Sequence, residues 1–257
     1  MLRSELKKFP YKIQLKEKQT PQTETKRVDF ANIMSNWIKS EKKILQKILF
    51  SDEAHFYLSG YVNRQNMRFW GDENPHDTVE GPKTRVKVTV FVALSQDSGL
   101  IGPYFFEDDD GEAETIKTEN YIKMIKQKVI PAVKRKEVDG NTIFQQDGAP
   151  VHCSKVAIEW LTGKFGEDML ITRNSNFQWP PYSPDFNPLD YYFWGHLKSR
   201  VYQHPYPKTV VDLKKNIARE CRKKRRKQIS CAINNLNCRL QYVMVRKGGY
   251  FEQVMNY

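Results

Sequence analysis

No run of about 18 apolar residues occurs anywhere in the chain, so the sequence offers no membrane-spanning helix. The opening Met1-Leu-Arg-Ser-Glu-Leu-Lys-Lys8 carries no apolar stretch behind its charges and does not read as a secretory signal. Cysteine is scarce. Cys153, Cys221, Cys231 and Cys238 are the full set, and none falls in a C-x-x-C pair. That argues against a disulfide framework or a zinc site and for free thiols in a reducing compartment. No internal repeat is visible. A hydrophobic content of 39% against 28% charged residues fits a folded chain rather than a disordered one. The 257 residues suffice for one sizeable core with at most a small appendage.

What is present in excess is positive charge, unevenly spread. The formal net charge is +12; residues 1–47 carry +7, residues 48–195 carry −7 and residues 196–227 carry +10. Basic flanks around an acidic centre suit a polyanion held against metal-binding acids. Solvated helix faces produce the same pattern, so charge alone leaves both readings open.

The apolar pattern predicts a helix over 28–47, where Val28, Phe30, Met34, Trp37-Ile38 and Ile44-Leu45 recur at helical spacing. The preceding Gln19-Thr-Pro-Gln-Thr-Glu-Thr25 is polar and reads as a linker. Strands are predicted over 48–58, 66–70 and 85–94, with a further one over 100–106 after the Asp97-Ser-Gly turn. Their short connections suggest an antiparallel meander. The acidic run Glu107 to Glu112 has no apolar context and reads as a solvated loop. Thr118 opens a helix that Pro131 is expected to kink. A short strand over 141–146, a helix from Ser154 ending near Gly163, and a strand over 169–172 follow. Helices are expected over 188–202, from Val210 into the basic run Arg222–Lys227, and over 232–245, closed by Gly248-Gly249. Strands alternating with helices after an antiparallel start indicate an α/β fold with a sheet of mixed direction.

Three acids stand out. Asp52 and Asp147 both follow apolar strand segments, where a carboxylate is costly without compensation. A divalent cation compensates it: Mg²⁺ takes carboxylate oxygens, and two such ions suit in-line phosphoryl displacement. Asp190 follows the loop Trp179-Pro-Pro-Tyr-Ser-Pro-Asp-Phe-Asn-Pro-Leu. With Asn187 as N-cap and Pro188 at N1, Asp190 falls at N3, where an acid also serves as a helix cap. Asp147 equally suits an Asp-Gly turn, and Asp52 a solvated strand position.

Three blocks together are more specific. Phe50-Ser-Asp-Glu-Ala-His-Phe56, Gln145-Gln-Asp-Gly-Ala-Pro-Val-His152 and Pro180-Pro-Tyr-Ser-Pro-Asp-Phe-Asn-Pro-Leu-Asp190 resemble, in order and approximate spacing, the signature blocks of Tc1/mariner-type transposases. The likeness runs from about residue 28 to the end of the chain. It implies a ribonuclease H-like α/β fold, with antiparallel first strands, then parallel strands, flanked by helices. It implies that Asp52, Asp147 and Asp190 hold Mg²⁺ or Mn²⁺, two ions in all, with Asp185 as the fallback third ligand. Glu53, His55 and His152 take supporting roles beside the first two acids. The 42 residues between Asp147 and Asp190 are at the long end for the family.

The implied reaction is metal-dependent phosphodiester cleavage at transposon ends, followed by attack of a freed 3′-hydroxyl on target DNA. Double-stranded DNA is the implied partner, with pairing as a homodimer, no membrane, and action in the nucleus. The catalytic domain is expected to span residues 28–257. Residues 1–27 are expected to be a linker and the remnant of a helix-turn-helix DNA-binding region, since Leu6-Lys-Lys-Phe-Pro-Tyr-Lys-Ile13 resembles the tail of that unit. The basic run 222–227 suits either a nuclear import signal or a phosphate-contacting helix face. Two other readings remain: a catalytically idle, transposon-derived DNA-binding protein, and a nuclease of RNA–DNA hybrids.

Overall fold

The computed structural model describes residues 19–58, 86–136 and 141–250. The strand expected over 66–70 and the segment around Leu6–Ile13 lie outside them.

A helix, α1 (Pro21–Ser40), begins seven residues before the expected start. Thr20 caps it by accepting from the Thr23 N–H, and Pro21 sits where its missing N–H costs nothing. The polar run 19–25 is therefore helix cap and first turn rather than linker. Polarity misled because only Thr23 of this run is buried, with Arg27 just beyond it, and neither advertises an apolar face. After the short α2 (Ile44–Lys47) come β1 (Ile48–Tyr57), β2 (Lys87–Ser95) and β3 (Gly99–Phe105). These three strands pair antiparallel as expected.

The sheet then grows in the other direction from β1. Strands β4 (Ile143–Gln145), β5 (Leu170–Thr172) and β6 (Phe177–Gln178) add successively and in parallel, for an order of β3-β2-β1-β4-β5-β6. This is the mixed α/β sheet expected from the sequence. β2 is buried at every position after Lys87, which explains its unbroken Val-Thr-Val-Phe-Val-Ala-Leu run: both faces are covered.

One face carries α3 (Thr118–Met124), a π-helical turn over Ile125–Val129, α4 (Ile130–Arg135) and α5 (Lys155–Phe165). The irregularity expected at Pro131 appears as that π turn immediately before it. α5 runs past Gly163 because Phe165 stacks on Phe144, ring centroids 5.1 Å apart, and packing outweighs one glycine. The other face carries α1 together with α6 (Trp194–Val201), α7 (Val210–Arg222), α8 (Arg226–Asn234) and α9 (Leu236–Val245).

The helix expected to run into the basic block stops at Arg222, and α8 starts at Arg226. Six consecutive cations in one helix would stack at i,i+3 and i,i+4, so a corner relieves their repulsion. The helix expected over 232–245 is likewise two helices, with Asn234-Asn235 at the join.

Gly248 closes the molecule against α1. Its φ is +91°, and a Cβ there would stand 2.3 Å from the Glu24 carbonyl oxygen. Gly248→Ala combines a left-handed backbone with a clash against rigid helix backbone, and is expected to cost roughly 3 kcal/mol. Urea unfolding checks it; an unchanged midpoint would show that this contact is not held in solution.

Candidate metal-binding cleft

β1 and β4 run parallel, with Ile48 opposite Ile143 and Phe50 opposite Gln145. Two residues further along this register, Asp52 and Asp147 come level at the carboxyl edge of the parallel strands. Ligands in α/β sheets gather at that edge. The proline-rich loop then delivers Asp190. The Asn187 amide donates to the Ser51 carbonyl (3.3 Å) and its oxygen accepts from the Leu189 N–H (3.1 Å), tying the loop to the residue beside Asp52. Asp190 lies in a π-helical turn, Leu189–Phe193, that leads into α6. Such turns are rare and recur at functional sites. Despite the long interval from Asp147, Asp190 stands within hydrogen-bonding reach of Asp52.

The three carboxylates share a cleft of about 1230 Å³, whose walls include Gly148, Arg173, Trp179, Tyr182 and Tyr250. Each has a distinct setting. Asp52 is half-buried, and desolvation, then the charges of Asp190 and Glu53, push its carboxyl well above the usual carboxylate range. The Trp194 indole N–H, 2.6 Å from Oδ2, partly offsets that push and fixes the side chain. Asp190 opens onto the cleft but is otherwise surrounded by protein. Its carboxyl is raised by poor hydration and by the charge of Asp147.

Asp147 is the reverse case. Burial alone would raise it, but a 2.6 Å contact with His152 Nδ1 and the Ala149 N–H (3.0 Å) hold it below the ordinary range. His152 is buried, which disfavours its charge, yet Glu53 and Asp147 on either side outweigh burial and raise it to about 10. It is therefore an imidazolium bridging two acids at neutral pH. The Tyr121 ring lies over it at 4.6 Å, and the Tyr121 hydroxyl donates to the Gln146 side chain.

Of the residues expected to support the acids, Glu53 and His152 do flank the cleft. His55 pairs instead with Thr89 on β2 (3.0 Å). Asp185, the fallback ligand, is engaged elsewhere. It is buried and takes a two-pronged contact from Arg27, with Nη1 2.7 Å from Oδ1 and Nη2 against Oδ2. Arg27 also donates to the carbonyls of Tyr182 and Gly248 and to the Ser183 hydroxyl. So α1 clamps the loop that carries Asp190. Sequence reasoning missed both Arg27, whose partner is 158 residues away, and the Trp194 donor. Neither has a local signal.

Among the described residues no group of three or more His, Cys, Asp or Glu side chains is already disposed to hold a metal ion. The donor set nonetheless fits a hard divalent cation. It is all oxygen, it crowds like charges that a cation would relieve, and Glu53 Oε1 is buried with no hydrogen-bond partner among the described residues. Trp194→Phe, which removes the donor that orients Asp52, is expected to lower divalent-metal affinity about 10-fold without unfolding the protein. Titration calorimetry with Mn²⁺ checks this; wild-type affinity would show that the indole does not orient a ligand.

The family model described as DDE superfamily endonuclease matches residues 47–214, which contain all three acids. Among solved structures, the Mos1 mariner paired-end complex with Mn matches with a TM-score of 0.77 and 21% identity, over 98% of this chain and 70% of that one. The isolated catalytic domain of Mos1 mariner transposase matches with a TM-score of 0.69 and 20% identity, over 93% of this chain and all of the other. The Mos1 strand transfer complex gives 0.71 and 20%, over 98% and 69%. At this identity the likeness establishes the ribonuclease H-like fold. No curated protein matches.

Proposed function

Because the chain belongs to the DDE superfamily endonucleases, we propose that it is the catalytic part of a Tc1/mariner-type transposase. It cleaves phosphodiester bonds of double-stranded DNA and joins the freed 3′ ends to target DNA. Asp52, Asp147 and Asp190 hold Mg²⁺ or Mn²⁺. The observation that carries this reading is the convergence of Asp52, Asp147 and Asp190 on one cleft, where among the described residues neither Asp52 nor Asp190 forms an ion pair and the charge of Lys198 only partly offsets their crowding.

When bound, the metal ions activate the attacking oxygen and offset charge on the leaving one. The chain's own residues do the rest. Trp194 sets the Asp52 carboxylate, and His152, placed between Asp147 and Glu53, keeps Asp147 ionised and fixes its side chain. The Asn187–Ser51 bond and the Arg27 clamp hold Asp190 against the other two. The Mos1 structures carry transposon-end DNA and, in separate cases, Mn or Mg, which supports DNA and these ions as the partners here. Pairing as a homodimer and action in the nucleus belong to the same proposal.

The test is a nicking and joining assay on plasmid and on linear duplex with Mg²⁺, Mn²⁺ or EDTA. Metal-dependent nicking of duplex DNA supports the proposal. DNA binding with no cleavage under any metal would mark an idle binding protein, and preference for RNA–DNA hybrid would mark a different nuclease.

A further inference from the structure

The acid cleft makes no use of the basic run Arg222–Lys227. In the fold this run is the corner between α7 and α8. Arg222, Lys224 and Arg226, with Lys136 from the end of α4, line a second cavity of about 510 Å³. Its opposite wall is the β2–β3 turn, Asp97–Leu100. That turn follows Leu94, which pairs with Phe50, so the cavity sits toward the start of β1, away from the edge that carries the acids.

The cavity is built rather than incidental. Lys136 Nζ donates to the Ser98 and Leu100 carbonyls, and Arg226 Nε donates to the Gln96 carbonyl (2.8 Å). Two cations are thereby pinned near one another, and burial together with the Arg226 charge pulls the Lys136 ammonium below its ordinary range. Lys224 lies 6.0 Å and 5.9 Å over the Tyr192 and Phe193 rings. Among the described residues none of the four forms an ion pair, and Asp97 is the one carboxylate on the wall.

We propose that this corner binds backbone phosphates of a DNA segment remote from the one cut in the acid cleft. Clustered cations that outnumber the one carboxylate on the wall, held in backbone-pinned geometry, suit a phosphodiester. DNA as the source of the phosphate rests on the proposed function; the cationic cavity itself does not. An import receptor would read the run as an extended peptide. Here it is folded into a helix end and a helix start, anchored by buried Cys221 and Ile229, and is not available in that form.

The experiment measures binding of a duplex of about 30 base pairs by fluorescence anisotropy in EDTA across a salt series, so that no cleavage step enters. Arg222→Gln/Arg226→Gln is expected to weaken binding about 10-fold near 0.1 M salt and to reduce the log–log salt slope by about 2. Lys223→Gln, whose cation already pairs with Glu220, is expected to change little. Equal melting temperatures establish that the variants fold. Unchanged affinity and slope in the double variant overturn the proposal. So does full displacement of DNA by millimolar inorganic phosphate, which would mark a small-anion site, or import-receptor binding lost while DNA affinity stays the same. Because binding is read without metal, this result and the nicking assay fail independently.

Discussion

Asp190→Asn is expected to cut Mg²⁺-dependent nicking by about 10³-fold or more, while the metal-free protein melts at the same temperature or higher. The first half follows from losing an anionic ligand, since metal stabilisation of a phosphoryl transition state is worth several kcal/mol. The second follows from the crowding. Poor hydration holds both carboxyls above the usual carboxylate range, with the charge of Asp190 adding to the push on Asp52 and the charge of Asp147 adding to the push on Asp190. Replacing one carboxylate by a neutral amide of the same shape relieves that repulsion. A purely structural acid, such as a helix cap, would behave oppositely: its loss would lower the melting temperature by a few degrees and leave nicking in place. Differential scanning fluorimetry in EDTA, beside the nicking assay, separates the two.

Arg27→Met should fail in the other sense. Arg27 and Asp185 are both buried, and removing the guanidinium strands a carboxylate in the interior and takes away the donor to the Gly248 carbonyl. Breaking a buried pair from one side costs about 3–5 kcal/mol, or roughly 10 °C of melting temperature in a chain of this size. The double variant Arg27→Met/Asp185→Leu removes both charges and is expected to recover much of that loss. A single variant as stable as wild type would show that the clamp contributes nothing to folding. Because the clamp holds the loop that carries Asp190, nicking should fall with stability in Arg27→Met. In Asp190→Asn the two should part.

The two aspartates five residues apart therefore have separable work, and the sequence alone left that choice open. Both sit in the same loop, and both suit a turn or a cap. What distinguishes them is a partner from α1, a segment whose polar start hid its helical nature. The meander β1–β3 was legible because β2 is buried on both faces and its residues are correspondingly β-branched. Asp52 and Asp147 stood out because each follows an apolar segment, and Asp190 because a proline-rich loop introduces its helix. Their supporting contacts were not: Trp194–Asp52 spans 142 residues and Arg27–Asp185 spans 158, and nothing in local pattern reports such pairs. The corner at 223–225 was missed for a related reason. Periodicity sees apolar residues, and there the deciding force is repulsion among cations.

Mn²⁺ binding by the wild-type chain and by Asp52→Asn, Asp147→Asn and Asp190→Asn, followed by calorimetry in the absence of DNA, addresses the three-acid site most directly. The expected result is saturable Mn²⁺ binding that each single substitution weakens by at least about 10-fold, with Asp185→Asn leaving it unchanged in whatever fraction stays folded. Wild-type Mn²⁺ affinity in all three variants, or a loss confined to Asp185→Asn, would contradict it.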